Sequence, residues 1–273
     1  MDRIRQAIEL ARTRRSTPEG DTADPFAPFP ASDAARDVAF REVKLNIAHL
    51  ESARLVAYDP SREGGRYYDM LRTQVLQTMD QNGWQVLAIT SPTAGCGKSV
   101  TACNLAMSIA RLPERPVLLV DMDLQKPKVA AYTGIDTREG GLLGVLQGSV
   151  GLSGAIVRAS VGDNRMLVLP GEICKSGSAE WMASQAMTNT LQVLRRDFRS
   201  HIIILDLPPV LIGDEVISLL PQVDAVLLIT SVGASTLTDI KECQKHIKST
   251  PIVRVVVNKV SEKSEAYYGY GYY

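Results

Sequence analysis

"SPTAGCGKSVTACNLAMSIA", residues 91–110, is the stretch that decides the fold. It follows the apolar run "WQVLAIT" (84–90), places Gly95 and Gly97 ahead of Lys98 and Ser99, and continues as a helical pattern. A strand, a glycine-rich turn and a helix in that order form the setting that a phosphate-binding loop requires. The glycines let backbone N–H groups face phosphate oxygens, Lys98 reaches toward the β- and γ-phosphates, and the Ser99 hydroxyl is placed to ligate Mg²⁺. Thr93, Ala94, Gly95, Cys96, Gly97, Lys98, Ser99 and Val100 are therefore candidate nucleotide-binding residues, with ATP and Mg²⁺ as cofactors. Pro92 occupies the position of the first glycine in the usual pattern, so the loop belongs to a variant class. Cys96 reads as a packing residue rather than a redox switch.

Outward from this loop the chain alternates. Further β-branched runs, "PVLLVD" (116–121), "RMLVLP" (165–170), "HIIILD" (201–206), "AVLLIT" (225–230) and "VRVVVN" (253–258), suit buried strands. Helical patterns at 99–111, 179–198, 214–220 and 236–248 lie between them. This predicts an α/β protein, a mostly parallel central sheet with helices on both faces in three α/β/α layers. Ligands of such sheets sit beyond the carboxyl ends of the strands. Two strand ends supply carboxylates there: Asp121 and Asp123 after one, Asp206 after another. Strand alternation would send Asp121 and Asp123 to the same side. Three aspartates beside a phosphate loop point to Mg²⁺ rather than to turn formation.

Composition sets the outer bounds. The 273 residues are 45% apolar and carry a formal net charge of zero, which argues for one substantial core and against nucleic acid as a partner. Four scattered cysteines read as reduced thiols of a cytoplasm. No apolar run approaches the length that spans a bilayer, and "MDRIRQAIELARTRR" lacks the apolar core of a secretion signal. Residues 1–15 read as a short basic amphipathic helix, either frayed or locally packed, or docked to a membrane partner or anionic lipid. Residues 16–38, with four prolines, read as a linker, and 39–260 as the globular unit. Residues 261–273 form a tail that ends in "YYGYGYY".

"SPTAGCGKS", "VLLVDMDLQKP" and "IIILDLPPV", with that tail, resemble the bacterial tyrosine kinases (BY-kinases) of capsule and exopolysaccharide loci, a branch of the P-loop NTPases. The likeness is to the stand-alone type associated with exosortase-linked loci and runs from about residue 66 to the end. It implies an ATP-dependent autokinase that modifies Tyr267, Tyr268, Tyr270, Tyr272 and Tyr273 and so regulates polysaccharide polymerisation and export. Lys98, Asp121 and Asp123 take the catalytic positions, Asp121 as acceptor of the phenolic proton. Ser99, Asp123 and Asp206 take the metal positions. Asn258 resembles an adenine-recognising asparagine, or it is a turn residue. Implied partners are a membrane adaptor of the polysaccharide co-polymerase type, a phosphotyrosine phosphatase and further copies of the chain. Implied localisation is cytoplasmic, at the inner face of the plasma membrane.

Three features depart from the family pattern, the first in all but Arg72. Arg66, Asp69 and Arg72 stand where an E-x-x-R-x-x-R run serves contacts between subunits, Gln125 replaces a basic residue, and Cys96 replaces a frequent acid. The rival reading is a nucleotide-switched ATPase of the partition or cell-division kind, which usually carries a signature lysine where this chain has Thr93.

Overall fold

A computed structural model describes residues 40–260. The expected basic helix, linker and tyrosine tail lie outside the described residues. The chain runs β1 (Arg41–Lys44), α1 (Ile47–Ser52), α2 (Gly65–Asn82), β2 (Val86–Thr90), α3 (Lys98–Ala110), β3 (Val117–Asp121) and α4 (Val129–Thr133). It continues through α5 (Leu142–Leu146), α6 (Leu152–Ala155), β4 (Val157–Val161), β5 (Asn164–Leu169), α7 (Ser178–Met182), α8 (Gln185–Asp197) and β6 (Ile202–Asp206). Last come α9 (Glu215–Leu219), a 3₁₀ turn (Leu220–Gln222), β7 (Ala225–Ser231), α10 (Leu237–Ile247) and β8 (Ile252–Asn258).

The eight strands form one sheet in the order β1-β4-β5-β3-β6-β2-β7-β8. Every neighbouring pair is parallel except β4 with β5. Strands β2, β3, β6 and β7 are buried along their whole length, as β-branched runs covered on both faces must be. The pleat divides their side chains between two cores. Val86, Leu118, Ile203 and Val226 pack with α8, α9 and α10, while Leu87, Leu119, Ile204 and Leu227 pack with α2 and α3. Because β2 lies between β6 and β7, the loop after β2 opens where the strand order reverses, and that places the crevice for a ligand.

The six strands read from the sequence are all present. Two more, β1 and β4, extend the sheet with reversed direction relative to its parallel body. The helix read over 179–198 is two helices. Ser184 breaks it, its hydroxyl oxygen accepting from Met187 N and capping α8 while its hydroxyl donates to Trp181 O. On α2, Asp69 and Arg72 turn inward. Asp69 accepts from Ser108 Oγ at 2.6 Å and from Arg111 at 2.7 Å, and Arg72 donates to Ser108 O at 2.8 Å. These side chains fasten α2 to α3 within the subunit, whereas the family pattern suggested a contact between subunits.

Candidate phosphoryl-transfer site

The loop after β2 is shaped by glycines. Gly95 has φ 81° and Gly97 has φ 93°, a region L-residues rarely adopt. At Gly97 a side chain is excluded twice, because a Cβ there would collide with Asn258 Nδ2. Gly97 caps α3, whose first residues are Lys98 and Ser99, so the helix N-terminus and its free N–H groups face the loop. Ala94 and Gly95 stand exposed at the tip, Cys96 and Ser99 are buried, and Val100 packs against the α2–α3 core.

One flank of the loop is stapled by neutral hydrogen bonds. Thr93 Oγ1 donates to Ala234 O at 3.0 Å, Cys96 Sγ and Ser235 Oγ lie 3.2 Å apart, and Asn258 Nδ2 donates to Cys96 O at 3.0 Å. The Asn258 Oδ1 accepts from Lys259 N at 2.8 Å. Both ends of that amide are therefore engaged by protein backbone. The Cys96 thiol feels burial, which raises its pKa, but hydrogen bonds from Ser235 and Thr93 outweigh it and leave the pKa lowered.

The other flank is acidic. Asp121 and Asp206 end adjacent strands in register. Asp123 lies just beyond β3, so its approach to Asp121 comes from a turn, with Asp123 N donating to Asp121 Oδ1 at 3.2 Å, rather than from strand alternation. Asp121 Oδ2 accepts from Lys128 N and Val129 N, each at 2.9 Å. Asp123 Oδ1 accepts from Lys126 N at 2.9 Å. Lys98 Nζ reaches across to Asp123 Oδ2 at 2.9 Å and Asp206 Oδ1 at 3.6 Å, and donates to Ser99 Oγ at 3.3 Å.

Asp206 is fully buried and neither of its oxygens has a hydrogen-bond partner. Burial raises its pKa, against the pull of Lys98. Asp121 is raised to about 7, by burial first and then by the charge of Asp206. Burial opposes the charge on Lys98, yet Asp206 and Asp123 hold its pKa above normal. Two or three carboxylates around one ammonium are under-compensated, and a buried carboxylate without donors is costly. That donor set suits a magnesium ion, which binds one or two carboxylates and takes other ligands from phosphates. Among the described residues no group of three or more His, Cys, Asp or Glu forms a metal cage by itself.

Sequence reading missed a polar clamp beside these carboxylates. Buried Glu215 accepts from Gln125 Nε2 and, at 3.2 Å, from Ser178 Oγ. It ties together the loops after β3, β5 and β6. Nothing in "IGDEV" marks Glu215 as buried, since its partners are distant in sequence.

The site can be set beside known proteins. EpsB of Ralstonia nicotianae, provisionally named a tyrosine-protein kinase, is 32% identical over 251 residues, which are 90% of this chain and 32% of that protein. The chain thus spans about a third of the length of that relative. The tyrosine-protein kinase CpsD of Streptococcus pneumoniae is 26% identical over 214 residues, covering 78% of this chain and 91% of CpsD. Among solved structures, the kinase domain of Escherichia coli tyrosine kinase ETK superposes with TM-score 0.69 at 20% identity, over 87% of this chain and 96% of that one. The septum site-determining protein MinD of Pyrococcus horikoshii superposes less fully, with TM-score 0.54 at 24% identity, over 67% of this chain and 75% of that one. Residues 87–268 match the family model of the CobQ/CobB/MinD/ParA nucleotide binding domain. With its glycine loop, its lysine and its strand-end carboxylates inside that match, the chain belongs to the CobQ/CobB/MinD/ParA nucleotide-binding family.

Proposed function

We propose that the chain is an ATP-dependent protein-tyrosine autokinase acting on Tyr267, Tyr268, Tyr270, Tyr272 and Tyr273. The observation that carries this reading is the Asn258–Cys96 hydrogen bond, which joins the last strand to the nucleotide loop. The tyrosine-rich segment follows that strand in sequence, so the strand to which it is joined ends beside the phosphate loop. The names of EpsB and CpsD support the same reading.

In this account the N–H groups of residues 93–100 cradle the ATP phosphates. Lys98 exchanges Asp123 and Asp206 for the β- and γ-phosphate oxygens. Ser99, Asp123 and Asp206 would hold Mg²⁺, which when bound neutralises charge on the phosphates. The tyrosine oxygen attacks the γ-phosphorus, the bond to the β-phosphate oxygen breaks, and ADP leaves with that electron pair. The phenolic proton passes to Asp121, whose pKa of about 7 suits it to accept one. Asp121 is held by three backbone N–H groups, so its basicity becomes available when the 123–128 turn shifts, and withdrawal of Lys98 from Asp123 supplies that shift. Asn258 would order the loop edge on which adenine rests.

Regulation of polysaccharide polymerisation and export, a membrane adaptor of the co-polymerase type, a phosphatase and self-assembly complete the proposal. Among the described residues no helix is long and apolar enough to cross a membrane. Recruitment to the inner face of the plasma membrane by that adaptor belongs to the same proposal. The switch-ATPase reading has less support, because Thr93 stands at the signature position and its hydroxyl is bonded within the subunit. The deciding experiment purifies the chain from a host lacking tyrosine kinases and phosphatases and probes phosphotyrosine with and without ATP and adaptor. ATP hydrolysis without phosphotyrosine would replace the kinase by the switch ATPase.

A further inference from the structure

The β3–β6 ladder ends where Asp121 pairs with Asp206, so the sheet fixes those two backbones and leaves Asp123 to the turn beyond. That turn also aims the Asp121 carboxylate, through the N–H groups of Lys128 and Val129. Whatever grips the turn decides where both acids point. One grip is Cys174 N, which donates to Leu124 O at 2.8 Å. The other is Glu215, whose Oε1 accepts from Gln125 Nε2 and from Ser178 Oγ. Ser178 opens α7 at the far end of the loop after β5, and Gly171 stands at its near end. Gly171 is the second wall around Asp121, since a Cβ there would lie 2.9 Å from Asp121 Cγ and 2.9 Å from Pro127 Cβ. A single carboxylate oxygen thus joins the two segments that enclose Asp121.

Glu215 is itself anchored to the nucleotide loop. In the loop after β6 that leads to it, Leu207 N donates to Ile89 O and Val210 N to Ser91 O, each at 2.9 Å. The Glu215 side chain is buried, and it lies so close to Gly213 that a Cβ at that position would collide with Oε2. Hydrogen bonds to a carboxylate are stronger than those to an amide, so Glu215 holds its two neutral donors firmly.

We propose that Glu215 is a positioning residue for phosphoryl transfer, holding through Gln125 and Ser178 the turn and loop that aim Asp121 and place Asp123 against the phosphate loop. This role rests on the autokinase reading and adds to it a residue that acts through its neighbours rather than on the reacting atoms. Because Oε1 serves both bonds, a glutamine at 215 supplies the same acceptor. Gln125→Glu instead sets one carboxylate against another and pushes the turn away.

The test compares full-length Gln125→Glu, Glu215→Gln and the double variant that reverses the pair. Phosphotyrosine formation gives kcat, its ATP dependence gives KM, and hydrogen exchange without nucleotide follows the Lys128 and Val129 amides. Gln125→Glu should lower kcat about 10- to 100-fold with KM for ATP within about twofold, and quicken exchange of both amides about tenfold. Glu215→Gln should stay within about threefold of wild type, and the reversed pair should recover most of what Gln125→Glu lost. Should Gln125→Glu not fold, Gln125→Leu, which adds no charge, gives the same readings. Wild-type kcat or wild-type exchange in Gln125→Glu overturns the proposal. So does a Glu215→Gln loss as large as that of Gln125→Glu, which would make the carboxylate itself a reactant, or a reversed pair no better than Gln125→Glu. If the wild type forms no phosphotyrosine the autokinase reading falls, and ATP hydrolysis with amide exchange then decides the role of Glu215 on its own.

Discussion

The two flanks of the phosphate loop differ in how far their polar groups are satisfied. On the β7–β8 side, Thr93, Cys96, Ser235 and Asn258 are matched donor to acceptor with no net charge. On the β3–β6 side, Asp206 is buried with Lys98 no nearer than 3.6 Å, Asp121 has its pKa raised by burial and by the charge of Asp206, and Lys98 stands against more than one carboxylate. A satisfied flank holds a loop in shape. An unsatisfied one stores free energy that a cationic or phosphate-bearing ligand releases, and the contrast locates the chemistry before any ligand is seen.

The strongest attempt to break this contrast is Lys98→Met. It should cut phosphotyrosine formation by about 10³-fold or more, since the cation facing the transferred phosphoryl group is lost. Circular dichroism should show the fold intact. Retained labelling would place the site elsewhere. Next, Asp206→Asn should lower transfer about 10²- to 10³-fold, yet raise the nucleotide-free unfolding free energy at pH 8 by about 1–3 kcal/mol, because a buried charge is removed. Thermal melts of the two proteins decide it, and a less stable variant would show the acidic flank to be balanced after all.

A third test uses pH. Burial and the charge of Asp206 raise the pKa of Asp121 to about 7 in the folded protein, whereas the unfolded chain releases that proton near the ordinary carboxylate value of 3.8. Between those values the native state binds more protons, so stability without nucleotide falls as pH rises through this window and levels off above it. The slope contributed is at most about 1.4 kcal/mol per pH unit. Denaturant titrations at pH 5, 6, 7 and 8 should show the decline, and saturating ATP with Mg²⁺ should flatten it. The smallest effect belongs to the quiet flank. Asn258→Ala should cost about 1 kcal/mol of stability and weaken ATP binding a few fold, with kcat nearly unchanged. A large change in ATP-over-GTP preference instead would make Asn258 a reader of the base, as its resemblance suggested.

Much of this was written in the sequence. Buried parallel strands need continuous β-branched runs, which is why β2, β3, β6 and β7 were legible, along with the aspartates that end β3 and β6; β8 carries the same valine-rich signal although it lies largely exposed at the sheet edge. "REVK" of β1, at the sheet edge, has three charged residues and one valine and carries no such signal. "VRASV" of β4 is short and half polar on one face. The division of α7 from α8 turns on Ser184, whose capping bond competes with an apolar pattern that reads straight through it. Lys98, Ser99 and Asp206 were found because loop chemistry demands them locally. The engagement of Asn258 by Cys96, of Glu215 by Gln125 and of Asp69 by Arg111 joins residues remote in the chain, and periodicity does not encode such pairs.

The strand order has a consequence for how the molecule comes into being. Strands β2 and β3 follow one another in the chain but do not touch, since β6 lies between them and pairs with both. During synthesis the glycine loop and the paired aspartates therefore emerge long before the strand that sets their separation. A nascent chain that stops short of residue 202 leaves both edges of β2 and one edge of β3 bare and has no Asp206 to oppose Lys98. Non-local pairing of this kind is slow and exposes sticky edges while it waits. Competence to bind nucleotide should accordingly arise late, once Ile202–Asp206 inserts, so a partly made chain does not capture ligand.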